Sequence, residues 1–190
     1  RVLIIGAGLI GLKAAEALEG KCAEMTIVDL ADRILPSILD LEGSAIMQKH
    51  IENKGVRFIL SQSVSEFNGN KAALKNGDAL EFDVLIIAVG VRPNTALIAD
   101  AGGKVDRGIL TDDHQLTSLK DVYAAGDCTV SHDISSGTDR ILALLPNAYR
   151  QGETAGCNMA KEGSAIYDKA IPMNAIGFFG LHMITAGSYE

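Results

Sequence analysis

The chain has 190 residues, enough for one large domain or two small ones, and 47% of them are hydrophobic, which is ample for a buried core. Its 17 basic and 24 acidic residues give a net charge of −7, which argues against a nucleic-acid surface. The longest apolar runs fall well short of the ~20 residues that a membrane span requires, and no secretory signal is visible. We therefore expect neither a nucleic-acid nor a membrane partner.

The three cysteines, Cys22, Cys128 and Cys157, are far apart and never form a C-x-x-C pattern, so neither a disulfide framework nor a zinc site is predicted. The four histidines show no paired ligand spacing either. We expect a reduced, cytoplasmic setting and no bound metal. Cys128 and Cys157 are interpreted as small buried residues rather than redox groups.

An apolar, β-branched run at residues 2–5 leads directly into a G-x-G-x-x-G pattern. In such a pattern Gly6 permits a tight turn, Gly8 lets the main chain approach a diphosphate, and Gly11 lets a helix pack closely on the strand. Apolar residues at 10, 14, 17 and 18 then recur at the spacing of one helix face. The sequence thus predicts a dinucleotide diphosphate on the helix N-terminus. The residues expected to bind it are Gly6, Ala7, Gly8, Leu9, Ile10 and Gly11.

A second apolar strand, residues 25–28, ends in Asp29, eighteen residues after Gly11. A carboxylate at that distance accepts hydrogen bonds from the adenosine ribose of NAD and would repel the 2′-phosphate of NADP, so NAD is favoured. Arg33 lies close enough to complicate that preference. The alternative is that Asp29 is a solvated acid at a strand end.

The residues after Asp29 continue the alternation of strands and helices. Ser37 is a plausible N-cap for a helix that runs to residues 53–54, and residues 56–60 form a third strand, which completes β-α-β-α-β and predicts a parallel sheet. Three short strand-like pieces, 63–67, 71–74 and 79–82, are separated by Asn-Gly turns and predict a β-meander. The run from Val84 to Val89 predicts a strand buried on both faces, with Gly90 at the sheet edge where ligands collect.

The second half of the chain is less regular. Pro93 disfavours helix at Arg92 and indicates a domain boundary. Short strands are expected at 108–111 and 121–125, the second leading into Gly126, and a helix is expected from Pro146 to about Lys161. The apolar run 176–186 predicts an exposed surface through which the chain could form a homo-oligomer.

These residues together resemble the pyridine nucleotide-disulfide oxidoreductase superfamily of FAD- and NAD(P)H-dependent flavoproteins. The resemblance rests on the glycine pattern with Asp29, the Arg-Ile-Leu-Pro stretch at 33–36, the meander, the Ala88–Asn94 stretch and the Val122–Cys128 stretch. It implies an α/β fold with a Rossmann-like parallel sheet and a β-meander crossover, followed by part of a second, FAD-type α/β domain. The implied domains are an NAD(H)-binding domain (1–92), the C-terminal part of an FAD-binding domain (93–163) and the start of a C-terminal interface domain (164–190).

The resemblance also implies site residues. Asp127 would bind the ribityl chain of FAD, Ala148 would lie at the start of the helix whose N-terminus faces the flavin, and Gly90 and Arg33 would belong to the cofactor site. Lys13 stands where relatives commonly carry a glutamate near the nicotinamide. Residues 145–156 look most like the branch that holds rubredoxin reductases, NADH oxidases and the flavin portion of nitrite reductase large subunits. Because the N-terminal FAD fingerprint is absent, the chain is interpreted as a piece of a longer protein that binds FAD weakly or not at all.

The function implied for the whole protein is a flavoprotein oxidoreductase that takes a hydride from NADH onto FAD and passes electrons to a further acceptor, either a protein or a domain. No catalytic acid or base is nominated, because the chemistry belongs to the cofactors. One alternative is an NAD-dependent dehydrogenase that acts directly on an organic substrate. Another is a non-catalytic nucleotide-binding or assembly module, and the isolated chain is expected to be inactive.

Overall fold

The computed structural model describes residues 1–188, which form two compact units. The first unit contains residues 1–90 and 175–183, and the second contains residues 91–174 and 184–188. Both units mix helices with strands, which confirms the predicted α/β class. In the described part of the chain, no helix has both the length and the apolar character needed to cross a membrane.

A parallel sheet of four strands forms the centre of the first unit. Its strands are β1 (Val2–Ile5), β2 (Met25–Val28), β3 (Val56–Ile59) and β7 (Val84–Ile87), in the order β3-β2-β1-β7. The register places Ile5 beside Val28 and Ile87, and Val28 beside Ile59. The residues that follow the four strands therefore leave the sheet side by side along one edge.

Alternate side chains of β1 enter two separate cores, as the period of a strand requires. Ile4 packs with α1 (Leu9–Ala17) and α2 (Leu41–Glu52), whereas Leu3 packs with the antiparallel meander. The meander consists of β4 (Val64–Asn68), β5 (Lys71–Leu74) and β6 (Ala79–Glu81), which confirms its prediction. Each fully buried aliphatic side chain in these cores stabilises the fold by about 1.5–3 kcal/mol.

The predicted start of the second helix is wrong. Helix α2 begins at Leu41 and is capped by Asp40, whose Oδ1 accepts a hydrogen bond from the Gly43 amide at 2.8 Å. Ser37 instead belongs to a turn, because Leu35 adopts a φ of +50° and its carbonyl accepts hydrogen bonds from the amides of residues 38 and 39. Aspartate is as good an N-cap as serine, so residue propensity alone could not decide between Ser37 and Asp40.

Two burial predictions are also wrong. The strand β7 lies at the edge of the sheet, and Val84 and Ile87 are 50% and 63% exposed instead of being buried on both faces. In α1 the buried residues are Gly11, Leu12 and Ala15, whereas Ile10 is 58% exposed. The helix packs through its glycine face because only that face allows a close approach to the sheet.

The last hairpin of the described chain consists of β11 (Met173–Phe178) and β12 (Leu181–Ala186). The prediction that residues 176–186 form an exposed apolar surface is wrong at the turn, because Ile176, Phe178 and Phe179 are at most 7% exposed and belong to the core that contains α1 and α2. Packing within the first unit thus takes up most of the apolar surface that suggested an oligomer.

Three helix side chains hold this turn, and we call them the turn clamp: Lys13, Glu16 and His50. The Lys13 ammonium donates to the Gly177 carbonyl and to Glu16, both at 2.6 Å, and lies 5.0 Å from the centre of the Phe178 ring. Glu16 also accepts from the Phe179 amide at 2.7 Å, and His50 Nε2 lies 2.9 Å from the Phe179 carbonyl oxygen. The clamp therefore satisfies polar main-chain groups that the aromatic residues carry with them into the core.

The second unit contains α3 (Ala96–Asp100), β8 (Ile109–Leu110), β9 (Thr129–Asp133), β10 (Thr138–Arg140) and α4 (Leu145–Ala160). Its sheet has the order β10-β9-β8. Helix α4 matches the predicted helix, but the predicted strand at 121–125 is wrong: Tyr123 forms a single bridge with Leu116, and Asp121 has a φ of +62° that interrupts an extended strand. The sequence analysis did not predict α3, β9 or β10.

A buried carboxylate at the end of β9 makes the second unit sensitive to acid. Asp133 is fully buried, which opposes its ionisation, but hydrogen bonds from Ser135 and Ser136 and the ion pair with Arg140 outweigh burial and lower its pKa from 3.8 to about 2. Since the folded-state pKa lies below the unfolded one, this stabilisation is present above about pH 4 and is lost as the pH falls towards 2.

We expect Asp133→Asn to lower the free energy of unfolding by about 2 kcal/mol near neutral pH and to flatten its pH dependence between about pH 4 and pH 2. Urea denaturation at a series of pH values measures both effects. Asp168→Asn, at an exposed position in the same unit, serves as the control and should keep the wild-type profile. An Asp133→Asn protein that lost stability in acid as the wild type does would contradict this prediction.

Candidate functional site

The turn between β1 and α1 has two glycines that the packing of the chain itself requires. Gly6 has a φ of +109°, and a Cβ atom there would lie 2.2 Å from the carbonyl oxygen of Ala88. A Cβ atom on Gly11 would lie 2.0 Å from the Gly6 carbonyl oxygen. Both distances are far inside van der Waals contact, so the helix can reach the sheet only where these side chains are missing.

Gly8 is different, because nothing in the described chain requires a glycine there. Its φ of −84° and ψ of −174° suit any residue, and a Cβ atom would meet no atom within 4 Å. Gly8 is the N-cap of α1, no side chain caps that helix within the described residues, and the first intrahelical bond is donated by the Leu12 amide. The amides of residues 9–11 therefore have no partner within the helix.

Asp29 lies at the exit of β2, next to the glycine turn. Its Oδ2 accepts a hydrogen bond from the Ala7 amide at 2.5 Å, and its Oδ1 accepts one from the Ala31 amide at 2.8 Å. The half-buried carboxylate therefore ties the exits of β1 and β2 together. The structure thus brings Asp29 to the turn as the spacing suggested and gives it a second, structural task that the spacing did not reveal.

The segment 33–36 packs beneath the same turn. Ile34 and Leu35 are almost fully buried, and the Leu35 amide donates to the Ala7 carbonyl at 3.1 Å. Arg33 is half-buried and its guanidinium makes long contacts to Asp32 (3.4 Å) and to the Pro36 carbonyl (3.5 Å). The Arg33 Nε atom is buried without a hydrogen-bond partner among the described residues.

Gly90 is exposed and has a φ of +94°, which explains why a glycine follows β7. The residue that contacts the glycine turn from this strand is Ala88, not Gly90. Lys13, the departure from the family pattern, is engaged in the turn clamp.

In the second unit, the structure brings two predicted flavin-site residues together. A Cβ atom on Gly126 would lie 3.7 Å from the Ala148 side chain, and Asp127 follows with an exposed carboxylate that accepts no hydrogen bond from the described residues. Gly126 has a φ of +87°, and its amide donates to Gln151 Oε1 at 2.6 Å. Asp127 therefore follows directly on a residue that lies against α4, and its carboxylate is exposed to solvent.

Gln151 is a site residue whose position the sequence analysis missed. It is buried on α4, accepts from Gly126, and donates through Nε2 to Ser131 at 2.5 Å, so it fixes the Gly126 turn against β9. The sequence did contain a signal for this buried position, because polar residues recur at helical spacing along one side of α4 and the opposite side is mostly apolar. The buried polar residues are Asn147, Gln151, Thr154 and Asn158.

A cleft of about 640 Å³ also opens in the second unit. It is lined by the first turn of α4 and by residues 166–173, with Arg150 and Lys169 at its polar positions, and neither Asp127 nor Ala148 lines it. The cleft therefore shares the start of α4 with the predicted flavin site but is not lined by Asp127 or Ala148. Cys128 is half-buried and Cys157 is exposed, so the expectation that the cysteines are buried is wrong for Cys157.

The sequence model of the pyridine nucleotide-disulphide oxidoreductases matches residues 1–152. The chain belongs to this family. An NADH oxidase of Streptococcus pneumoniae is 34% identical over 98% of the chain, which covers 41% of that protein. The chain thus spans less than half the length of this relative.

Two solved structures of family members are also similar to the chain. An NAD-dependent persulfide reductase from A. fulgidus is 31% identical with a TM-score of 0.93, over 100% of the chain and 36% of that protein. An FAD-dependent pyridine nucleotide-disulphide oxidoreductase from Desulfovibrio vulgaris is 32% identical with a TM-score of 0.82, over 94% of the chain and 46% of that protein. The predicted family and fold are therefore confirmed.

Proposed function

We propose that the whole protein is a flavoprotein that takes a hydride from NADH onto FAD and passes the electrons to a further acceptor. Within it, residues 1–92 would bind NAD(H), residues 93–163 would complete an FAD-binding domain, and residues 164–190 would begin a C-terminal interface domain. The names of the similar proteins, which include NADH, NAD and FAD, support this assignment.

The observation that carries the NADH assignment is the contrast among the three glycines. Packing explains Gly6 and Gly11, whereas the open space at Gly8, bordered by unpaired amides at a helix N-terminus, suits a diphosphate. Asp29 stands one strand away, where it would accept hydrogen bonds from the ribose hydroxyls and disfavour a 2′-phosphate. The cofactor-binding set remains as proposed from the sequence: Gly6, Ala7, Gly8, Leu9, Ile10, Gly11, Asp29, Arg33, Gly90, Asp127 and Ala148.

Two features of the second unit support a flavin site there. Asp127 has an exposed carboxylate and follows Gly126, which lies against Ala148 in α4 and donates its amide hydrogen to Gln151. Asp127 would bind ribityl hydroxyls and the α4 N-terminus would favour negative charge on the flavin ring. The bound flavin would accept the hydride. The task of this chain is to position the two cofactors.

The full-length protein should carry a flavin absorbance that bleaches when NADH is added without oxygen. Asp127→Ala should reduce the flavin content of the purified protein by more than half, because a carboxylate that binds hydroxyls is lost. Asp113→Ala, which removes an exposed carboxylate of the same unit, is the matched control and should retain the flavin. A colourless full-length protein that oxidises NADH with an organic substrate would instead indicate a direct dehydrogenase.

A further inference from the structure

The exits of β2 and β3 contain an unusual concentration of unpaired polar atoms. Of the five buried side-chain polar atoms without a hydrogen-bond partner in residues 1–188, three belong to Arg33, Gln62 and Ser63. Buried polar atoms are normally paired, so a cluster of exceptions calls for a ligand or another partner. Two of these unpaired atoms are the Nε donor of Arg33, which follows β2, and the Oε1 acceptor of Gln62, which follows β3.

The main chain holds Gln62 next to Asp29. Ser61 adopts a φ of +54°, which L-residues rarely take, and the turn it forms sends the chain back towards β2. The Ser61 amide then donates to the Ala31 carbonyl at 2.8 Å, and the Gln62 amide donates to the Asp29 carbonyl at 3.0 Å. The strained residue is thus kept in place by two hydrogen bonds to the exit of β2, as happens where local strain serves a site.

The order of the strands in the sheet indicates which part of the dinucleotide would lie near Gln62. The diphosphate is proposed at the exit of β1 and the ribose at the exit of β2, and the next strand in the order β3-β2-β1 is β3. The base that follows the ribose therefore lies at the exit of β3, where Gln62 begins the outgoing chain. Neither polar atom of the Gln62 amide takes part in a hydrogen bond with the described residues. Because Oε1 is buried, the side chain must rotate before that atom can contact a base.

We propose that Gln62 reads the adenine base of the dinucleotide, an inference that rests on the proposed NADH site. Adenine presents an amino donor at N6 beside an acceptor at N7, and one amide can pair with both through its oxygen and its nitrogen. Hypoxanthine presents acceptors at both places, so one of its two contacts is lost. The amide turns about its terminal bond, whose rotamers are broad, without moving the main chain.

The test compares NADH with reduced nicotinamide hypoxanthine dinucleotide, which differs only in that base. Purified wild-type protein should bind NADH about tenfold more tightly than the hypoxanthine analogue in a calorimetric titration. Gln62→Leu should bring the two dissociation constants to within about twofold of each other, mainly by weakening NADH binding. Gln48→Leu, the same substitution at an exposed glutamine of α2 that pairs with Glu52, is the control and should keep the tenfold ratio.

Two further measurements separate base recognition from a structural role. Because the ligand-free amide has no partner, Gln62→Leu should melt at or above the wild-type temperature without nucleotide, whereas a structural glutamine would lower it. Gln62→Glu keeps the acceptor and should retain a preference for adenine. A wild-type ratio near one, or a wild-type ratio in Gln62→Leu, would overturn the inference. Failure of the wild type to bind either dinucleotide would instead remove the proposed NADH site, and this inference with it.

Discussion

Gly8→Val is expected to weaken NADH binding at least about a hundredfold while leaving the fold intact. The side chain would enter the open space above the α1 N-terminus and separate the diphosphate from the amides there, and the loss of two hydrogen bonds to a charged group costs about 3 kcal/mol or more. Apart from the sequence neighbours of Gly8, no atom of residues 1–188 lies within 4 Å of that side chain's first carbon. The free energy of unfolding should therefore fall by only about 1 kcal/mol, the cost of a poorer N-cap.

The same substitution at Gly11 is expected to affect stability much more than it does at Gly8. Gly11→Val places a Cβ atom against the Gly6 carbonyl and should lower the free energy of unfolding by about 3 kcal/mol or more, because the helix must move off the sheet. Gly152→Val, in an α4 position with the same open surroundings as Gly8, is the matched control and should leave NADH affinity unchanged. Calorimetry and thermal melts measure the two quantities. Normal NADH binding by a folded Gly8→Val protein would end the assignment of the glycine turn to the diphosphate.

The second large effect concerns the choice between NADH and NADPH. A carboxylate facing a 2′-phosphate costs several kcal/mol, so wild-type protein should prefer NADH by about a hundredfold or more. Replacing Asp29 with alanine removes the repulsion, and Leu30→Arg, at a side chain that is 71% exposed, adds a guanidinium that can pair with the phosphate without disturbing the core. We expect the double variant to shift the ratio of dissociation constants towards NADPH by about a hundredfold.

Asp29 also fastens the Ala7 amide, so its removal affects the fold as well as the ligand. Asp29→Ala alone should lower the free energy of unfolding by about 1–3 kcal/mol, whereas Asp29→Asn keeps an acceptor and should lose less. Asp32→Ala, at an exposed neighbouring acid, is the control for charge and should keep the wild-type preference. A double variant that retained the preference of the wild type would show that Asp29 does not face the ribose.

The sequence predicted those parts of the fold whose side chains alternate or repeat with a clear period. The β-branched runs and the Asn-Gly turns located the parallel strands and the meander, because few other structures bury such runs. The hairpin of β9 and β10 escaped prediction because its residues are largely polar, and its stability depends on Asp133, whose partners lie on the turn and on the opposite strand. No local pattern reports such a contact.

The sequence analysis could place the candidate site but could not assign a task to each of its residues. The glycine spacing identified the turn but could not distinguish Gly8, which leaves space for a ligand, from Gly6 and Gly11, which leave space for the chain. The contacts of Gln151 and the role proposed for Gln62 depend on which segments the fold brings next to them, and a glutamine has no spacing rule of its own. The burial of Phe178 and Phe179 likewise follows from the turn clamp on two distant helices, not from their own neighbours in the sequence.

The turn clamp also determines when the first unit becomes complete. Its sheet and both helices lie within residues 1–90, yet Phe178 and Phe179, which fill the same core, are synthesised almost 90 residues later. During translation the early part must therefore wait with an open apolar site until the intervening unit has left the ribosome. Contacts between residues so far apart in the sequence slow folding, and the exposed apolar core of the nascent chain is prone to aggregation until Phe178 and Phe179 pack against it. The first unit therefore completes its core only after the intervening unit has been synthesised.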